Sequence, residues 1–224
     1  MQQPIENAVT ETVAAVLYWG TRAFVAFSVP VFLLEHHWSQ ATGAAAIFAL
    51  MFLPEFVRRE YRVYLPFQFD AAVVVFIFLT LFLGSLANFY EMYPWWDKML
   101  HFLSGFLLTI AAFEVIYVLN DKRLGRLNLT PLFTSVFAVC FSSALSVVWE
   151  IYEFTADKLF GFTMQRDGIN DTMSDLILNL TSALMVATAA YFWMRRQQRK
   201  EEQGKVARLQ YRGRLAPATR PHAR

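Results

Sequence analysis

Cysteine is nearly absent from this chain of 224 residues. Cys140 stands alone, inside an apolar run. A single thiol excludes an intrachain disulfide and any cysteine-based zinc cluster. Lys and Arg are missing from Met1–Glu11, ahead of the first apolar run. The basic start of a signal peptide is therefore lacking, and that run is expected to be retained as a helix. No glycine-rich phosphate loop occurs, and no nucleophilic triad is legible. Charge is sparse, at 17% of residues against 56% hydrophobic, with 22 Phe. The apolar residues gather into long runs instead of interleaving with polar ones, which argues against an ordinary soluble core.

What is present is a set of membrane-length runs. Roughly 20 apolar residues cross a hydrocarbon layer about 30 Å thick. Six runs reach or approach that length: Val13–Leu34, Ala41–Val57, Phe67–Phe89, Met99–Leu119, Leu132–Tyr152 and Leu176–Met194. The expected fold class is an all-α integral membrane protein, a six-transmembrane-helix bundle occupying residues 1–194. The second run is short and holds Pro54, so a re-entrant segment is its alternative reading.

Basic residues test the topology independently, because loops kept in the cytoplasm carry excess Lys and Arg. Arg58, Arg59 and Arg62 follow the second run, Lys122, Arg123 and Arg126 follow the fourth, and ten more lie in Arg195–Arg224. The opposite links hold only Lys98, Lys158 and Arg166. This alternation places both termini in the cytoplasm. Trp38, Trp95 and Trp96 fall at the expected outer boundary, where indole rings favour the headgroup zone.

Residues 195–224 form a basic tail, expected to meet anionic lipid headgroups. Nucleic acid is not expected as a partner, since no reader module precedes the tail. With Gly204, Gly213, Pro217 and Pro221 and no apolar periodicity, the tail is expected to be disordered beyond Gln203. A continuation of the sixth helix through Arg195–Lys205 is compatible with its sequence.

Acidic and imidazole residues crowd the outer side. Helical spacing aligns Asp97 with His101, Glu150 with Glu153 and Asp157, and, if the last helix starts early, Asp171 with Asp175 and Asn179. Ionisable groups at such depth cost roughly 2.5–3.5 kcal/mol at a helix centre and less near the interface, so they face a bundle interior or a wet cavity. Each residue alone has an ordinary reading. Asp97 and Asp171 could be helix N-caps, Asp167-Gly168 a turn, Asp157-Lys158 an interfacial pair, and His101 a structural hydrogen-bonder. As a set from three helices they point to a pocket. Elsewhere, Arg22 is expected to pair with Asp70 or Glu114, and His36 and His37 to lie solvated at the interface.

The motifs Asp97-Lys98-x-x-His101-Phe102, Glu150-x-x-Glu153 and Gln165-x-Asp167-x-x-x-Asp171-x-x-x-Asp175 with Asn179 resemble the YjdF-type bacterial inner-membrane proteins. More distantly they are similar to the VanZ-like family. The resemblance covers Phe89–Val186. It implies a multi-pass protein of the bacterial inner membrane and assigns no reaction; the VanZ-like family is associated with glycopeptide resistance. Thr181-Ser182-Ala183 stands where family members often carry Gly, a departure that bears on helix packing.

Three functions fit these residues. A metal-assisted enzyme acting on lipid-linked or envelope substrates would use His101, Glu150 and Asp175 as ligands of a divalent cation. Glu150, Glu153 and Asp171 would be its catalytic carboxylates, and Asp97, Lys98, Asp167 and Asn179 its binding residues. An ion- or proton-coupled transporter is the second, although no polar file leading from the cluster to the cytoplasm is evident. A non-catalytic scaffold or envelope-stress factor is the third.

Overall fold

The computed structural model describes residues 3–61, 66–119, 129–161, 163–165 and 168–215. Arg62, Lys122, Arg123, Arg126, Arg166 and Asp167 lie outside these. The described residues are helical almost throughout. They form α1 (Gln3–Leu34), α2 (Trp38–Leu50), α3 (Leu53–Tyr61), α4 (Phe67–Ile77) continued by a π-helical stretch (Phe78–Leu86), α5 (Phe89–Met92), α6 (Trp96–Leu119), α7 (Pro131–Phe160) and α8 (Ile169–Leu215).

Six helical segments are long and apolar enough to cross a bilayer: Ala8–Leu34, Trp38–Glu60, Phe67–Leu86, Trp96–Tyr117, Pro131–Phe160 and Ile169–Lys205. The chain is thus a six-span membrane protein, and an even number of crossings returns both ends to one side. The second span is α2 and α3 in series, with a turn at Met51 and Phe52 between them. Pro54 stands in the first turn of α3, where its missing N–H is no loss.

The first half packs α1 against α2 and α4 around Val25, Ala44, Met51, Val74 and Phe82. Arg22 is buried there, and the sequence expectation for its partner is corrected. Its guanidinium grips Glu55 with two contacts, Nη1–Oε1 at 2.7 Å and Nη2–Oε2 at 2.8 Å. It also donates to the Met51 carbonyl and lies over the Tyr18 ring at 4.0 Å and the Phe52 ring at 4.3 Å. Asp70 is instead held by Arg58 at 2.6 Å. The reason is the α2–α3 break: it frees the Met51 carbonyl, and the restarted helix turns Glu55 back to α1.

The second half is a three-helix unit of α6, α7 and α8. Helix α7 opens with Thr130, whose Oγ1 accepts from the Phe133 N–H at 3.2 Å, followed by Pro131. It closes on Gly161 in the left-handed conformation, φ 70°. It thus runs two turns past Tyr152. Asn179 ties the three helices together. Its Nδ2 donates to Ser104 Oγ (3.2 Å) and its Oδ1 accepts from Ser142 Oγ (3.2 Å). Gly105 sits at the α6–α8 crossing, where an added Cβ would fall 2.9 Å from Asn179 Cα.

Helix α8 continues to Leu215, twelve residues beyond the point where disorder is expected. Its tail is rich in Arg, Lys, Glu and Gln, all good helix formers, and Gly204 costs only about 1 kcal/mol. No proline intervenes before Pro217.

Candidate functional site

The early start of α8 at Ile169 and the late end of α7 bring the three polar faces to one level. His101, from α6, is buried at 6% exposure and sits between two carboxylates. Its Nε2 is 3.7 Å from Asp97 Oδ1, one turn earlier, and its Nδ1 is 3.7 Å from Glu150 Oε1 on α7. Glu153 lies one turn beyond Glu150 and accepts from Trp149 Nε1 at 2.9 Å. Glu150, Glu153, Asp171 and Asp175 are all buried.

Potential ligand atoms fall into two groups that share His101. One is His101 with Glu150 and Glu153, the other His101 with Asp97 and Asp175. Within each group the ligand atoms lie within 4.8 Å of one another. Among the described residues neither oxygen of Glu150, nor Oδ1 of Asp175, has a hydrogen bond of ordinary length, although Thr172 and Gln165 stand beside the Glu150 carboxylate. Lys98 stands 3.6 Å from Asp171 and offsets one negative charge.

The link from α7 to α8 is built around Asp157. Its carboxylate accepts from the backbone N–H groups of Met164 (2.8 Å) and Gln165 (2.9 Å). The expected Asp157–Lys158 pair is thus replaced by a loop-holding role for Asp157. Gln165 Nε2 donates to Thr172 Oγ1 at 2.8 Å and approaches the Glu150 carbonyl at 3.5 Å. Asp97 and Asp171 occupy the first turns of α6 and α8 and not the capping positions, where their charges still favour the helix N-termini.

Most of the sequence-derived set therefore converges: Asp97, Lys98, His101, Glu150, Glu153, Asp171 and Asp175. Asn179 stands deeper, in the interhelical lock with Ser104 and Ser142. His36 and His37 are exposed, His37 near Glu35 at 3.5 Å.

Several residues were not foreseen. Trp149 carries a polar handle that gives no helical-periodicity signal, and Gln165, read from the sequence only as part of a motif, proves to bridge Thr172 and the Glu150 carbonyl. Tyr90 packs its ring onto Gly84, where a Cβ would stand 2.8 Å from Tyr90 Cζ. Burial, with the Asp97 and Glu153 charges nearby, raises the Tyr90 hydroxyl pKa and keeps it protonated. A file of hydroxyls also descends α7 from Glu150. Ser146, Ser142, Ser135 and Thr134 are buried on one face, interrupted by Ala138. With the row broken there, and with Ser146 and Ser135 making no hydrogen bond among the described residues, it is not a linked path to the cytoplasm; spacing of four residues along α7 was the available signal.

Comparison with known proteins agrees with the membrane fold. An "Uncharacterized protein" of Thermotoga maritima is 32% identical over 127 residues, which cover 52% of this chain and 62% of the relative. The chain thus spans less than two thirds of that relative's length. No solved structure matches it. These similarities give no support to the distant VanZ-like likeness, whereas the YjdF-type resemblance is consistent with them. The chain belongs to the family described as "Predicted membrane protein (DUF2238)", whose pattern it matches over residues 16–196.

Proposed function

We propose that this protein is a metal-dependent membrane enzyme whose centre is His101, Glu150 and Glu153 at the extracytoplasmic face of a bacterial inner membrane. The observation that carries the reading is the proximity of those three ligand atoms, with both Glu150 carboxylate oxygens buried and without a hydrogen bond of ordinary length. A carboxylate buried in this way is costly, and a divalent cation would offset the cost. Atoms around a tetrahedral zinc ion at about 2.0–2.1 Å stand roughly 3.4 Å apart. The 3.7 Å His101–Glu150 separation is close to that.

With His101 Nδ1 on the metal, Nε2–H is left to Asp97, the orienting carboxylate that ligating histidines ordinarily have. The alternative set, Asp97, His101 and Asp175, would use the other imidazole nitrogen. A metal held by these three residues would leave a position open for water and would supply Lewis-acid activation there. Asp175 is then the candidate general base. This chemistry suits hydrolysis of a phosphate or acyl ester in a lipid-linked or envelope substrate.

The orientation is supported by the sixteen-to-three division of basic residues, which favours cytoplasmic termini. On that side the start of the basic tail meets anionic headgroups.

The test is metal content after purification in mild detergent. One divalent ion per chain is expected. It should be lost in His101→Ala and Glu150→Gln, and its affinity should fall 10–100-fold in Asp97→Asn. A folded wild-type protein that takes up no zinc, manganese or iron would sink the reading.

The hydroxyl file along α7, although broken at Ala138, favours a second reading, proton-coupled transport. From Thr134 to Glu153 it covers about 29 Å at helical rise, close to the hydrocarbon thickness. Proton flux into liposomes that is abolished by Ser142→Val and kept by Ser142→Thr would support it. Absence of flux in the wild-type protein would exclude it.

A further inference from the structure

A groove of about 520 Å³ lies between the outer part of α7 and the start of α8. This size is typical of a small-ligand site, roughly 300–1,000 Å³, and too small for a folded partner. Val147, Ile151 and Phe154 form one wall, and Ile169 and Leu176 the other. Val147, Ile151, Phe154 and Ile169 are exposed on membrane-spanning helices. The medium against them is hydrocarbon and not water.

Two features distinguish this groove from an ordinary lipid-facing surface. Its lining includes Glu150, whose carboxylate oxygens are buried behind the wall and belong to the His101 cluster. Its outer end carries Lys158 next to Asp157, whose carboxylate is already held by the Met164 and Gln165 N–H groups; Gln165 and Thr172 line it nearer Glu150. The Lys158 ammonium is exposed and lies 5.6 Å from the centre of the Phe154 ring. From Val147 to Lys158 the wall rises about 16 Å along α7, half of a bilayer about 30 Å thick. An occupant of these dimensions has one hydrocarbon chain, one leaflet deep, with an anion at its outer end.

We propose that the groove between α7 and α8 seats one acyl chain of an outer-leaflet glycerophospholipid, with its phosphate against Lys158 and the chain running past Glu150 toward Val147. The substrate role rests on the metal-centre reading; seating of the lipid does not. A lipid held there reaches the His101 cluster sideways from the bilayer, without leaving it.

The experiment uses the full chain in lipid nanodiscs containing a trace of phosphatidylglycerol with a photoactivatable diazirine on one acyl chain. The matching diacylglycerol, which lacks the phosphate, serves as control. After illumination, labelled residues are located by mass spectrometry. Phosphatidylglycerol is expected to label Ile151, Phe154 and Leu176 several-fold above Val115 and Val136, which also face lipid or half-exposed surface on other parts of the bundle. Ile151→Trp should fill the groove and reduce labelling at Leu176 to that background. Lys158→Gln should lower phosphatidylglycerol labelling to the diacylglycerol level. Circular dichroism confirms that each variant remains folded.

Equal labelling of all lipid-facing positions, or labelling of Leu176 indifferent to Ile151→Trp, would overturn the proposal. Labelling unchanged in Lys158→Gln would overturn the phosphate assignment. Metal is measured in the same samples. Groove labelling without bound metal sinks the metal centre and leaves the lipid seat, and metal without groove labelling does the reverse.

Discussion

Arg22 and Glu55 illustrate how far single residues could be read. That Arg22 needs a partner follows from its place in an apolar run, since an isolated guanidinium in hydrocarbon is costly. Its choice of Glu55 depends on a break in the helix backbone; Pro54 hints at the break but not at the direction in which the restarted helix turns Glu55. Spacing performed better at the polar cluster. His101 and Asp97 are one turn apart, as are Glu150 and Glu153, so their shared faces were legible. What spacing cannot supply is the reach across helices, such as the 3.7 Å from His101 to Glu150. The buried pair makes a prediction at this scale. Glu55→Ala strands the Arg22 charge and should cost about 3 kcal/mol or more. Arg22→Met combined with Glu55→Gln should recover much of it, because no unpaired charge remains. Thermal melting of detergent-purified variants measures both, and equal loss in single and double variants would contradict the pairing.

Among the elements, the long apolar runs were plain from composition and the irregular ones were not. The π-helical stretch Phe78–Leu86 reads as ordinary helix, because its sequence, FLTLFLGSL, is uniformly apolar apart from Thr80, Gly84 and Ser85. Its wide turn instead reflects tertiary contacts. Trp96 Nε1 donates to the Leu79 carbonyl at 3.3 Å, and Tyr90 presses on Gly84. The α6–α8 crossing is similar. Thr181-Ser182-Ala183 holds no glycine, and the small residue that permits close approach is supplied by Gly105 on the facing helix. Helices in a membrane associate through such close packing, without a hydrophobic driving force. Gly105→Ala should therefore destabilise by about 1–3 kcal/mol. Ser182→Gly should not rescue it, since the Asn179 backbone still occupies the space. A rescued melting temperature in Gly105→Ala/Ser182→Gly would place the conflict at the Ser182 hydroxyl instead.

For the molecule as a whole, the order of charges along the chain carried the topology. Each basic link alternates with a poor one, and six spans satisfy that alternation where five would not. The membrane orientation is directly testable with Cys140→Ala as a background, because Cys140 is the one native cysteine. A cysteine at Glu91 should react with an impermeant maleimide in intact cells. One at Gln197 should react only after permeabilisation. The reverse pattern would invert the molecule and move the His101 cluster to the cytoplasmic side.

Helix α8 is 47 residues long, roughly 70 Å, more than twice the hydrocarbon layer it crosses. About 30 Å of it projects past Met194. Arg195, Arg196, Arg199 and Lys200 follow Met194 within about 9 Å along the helix axis. The backbone of α8 continues as helix for about 22 Å beyond Lys200, well past what a hydrocarbon layer needs.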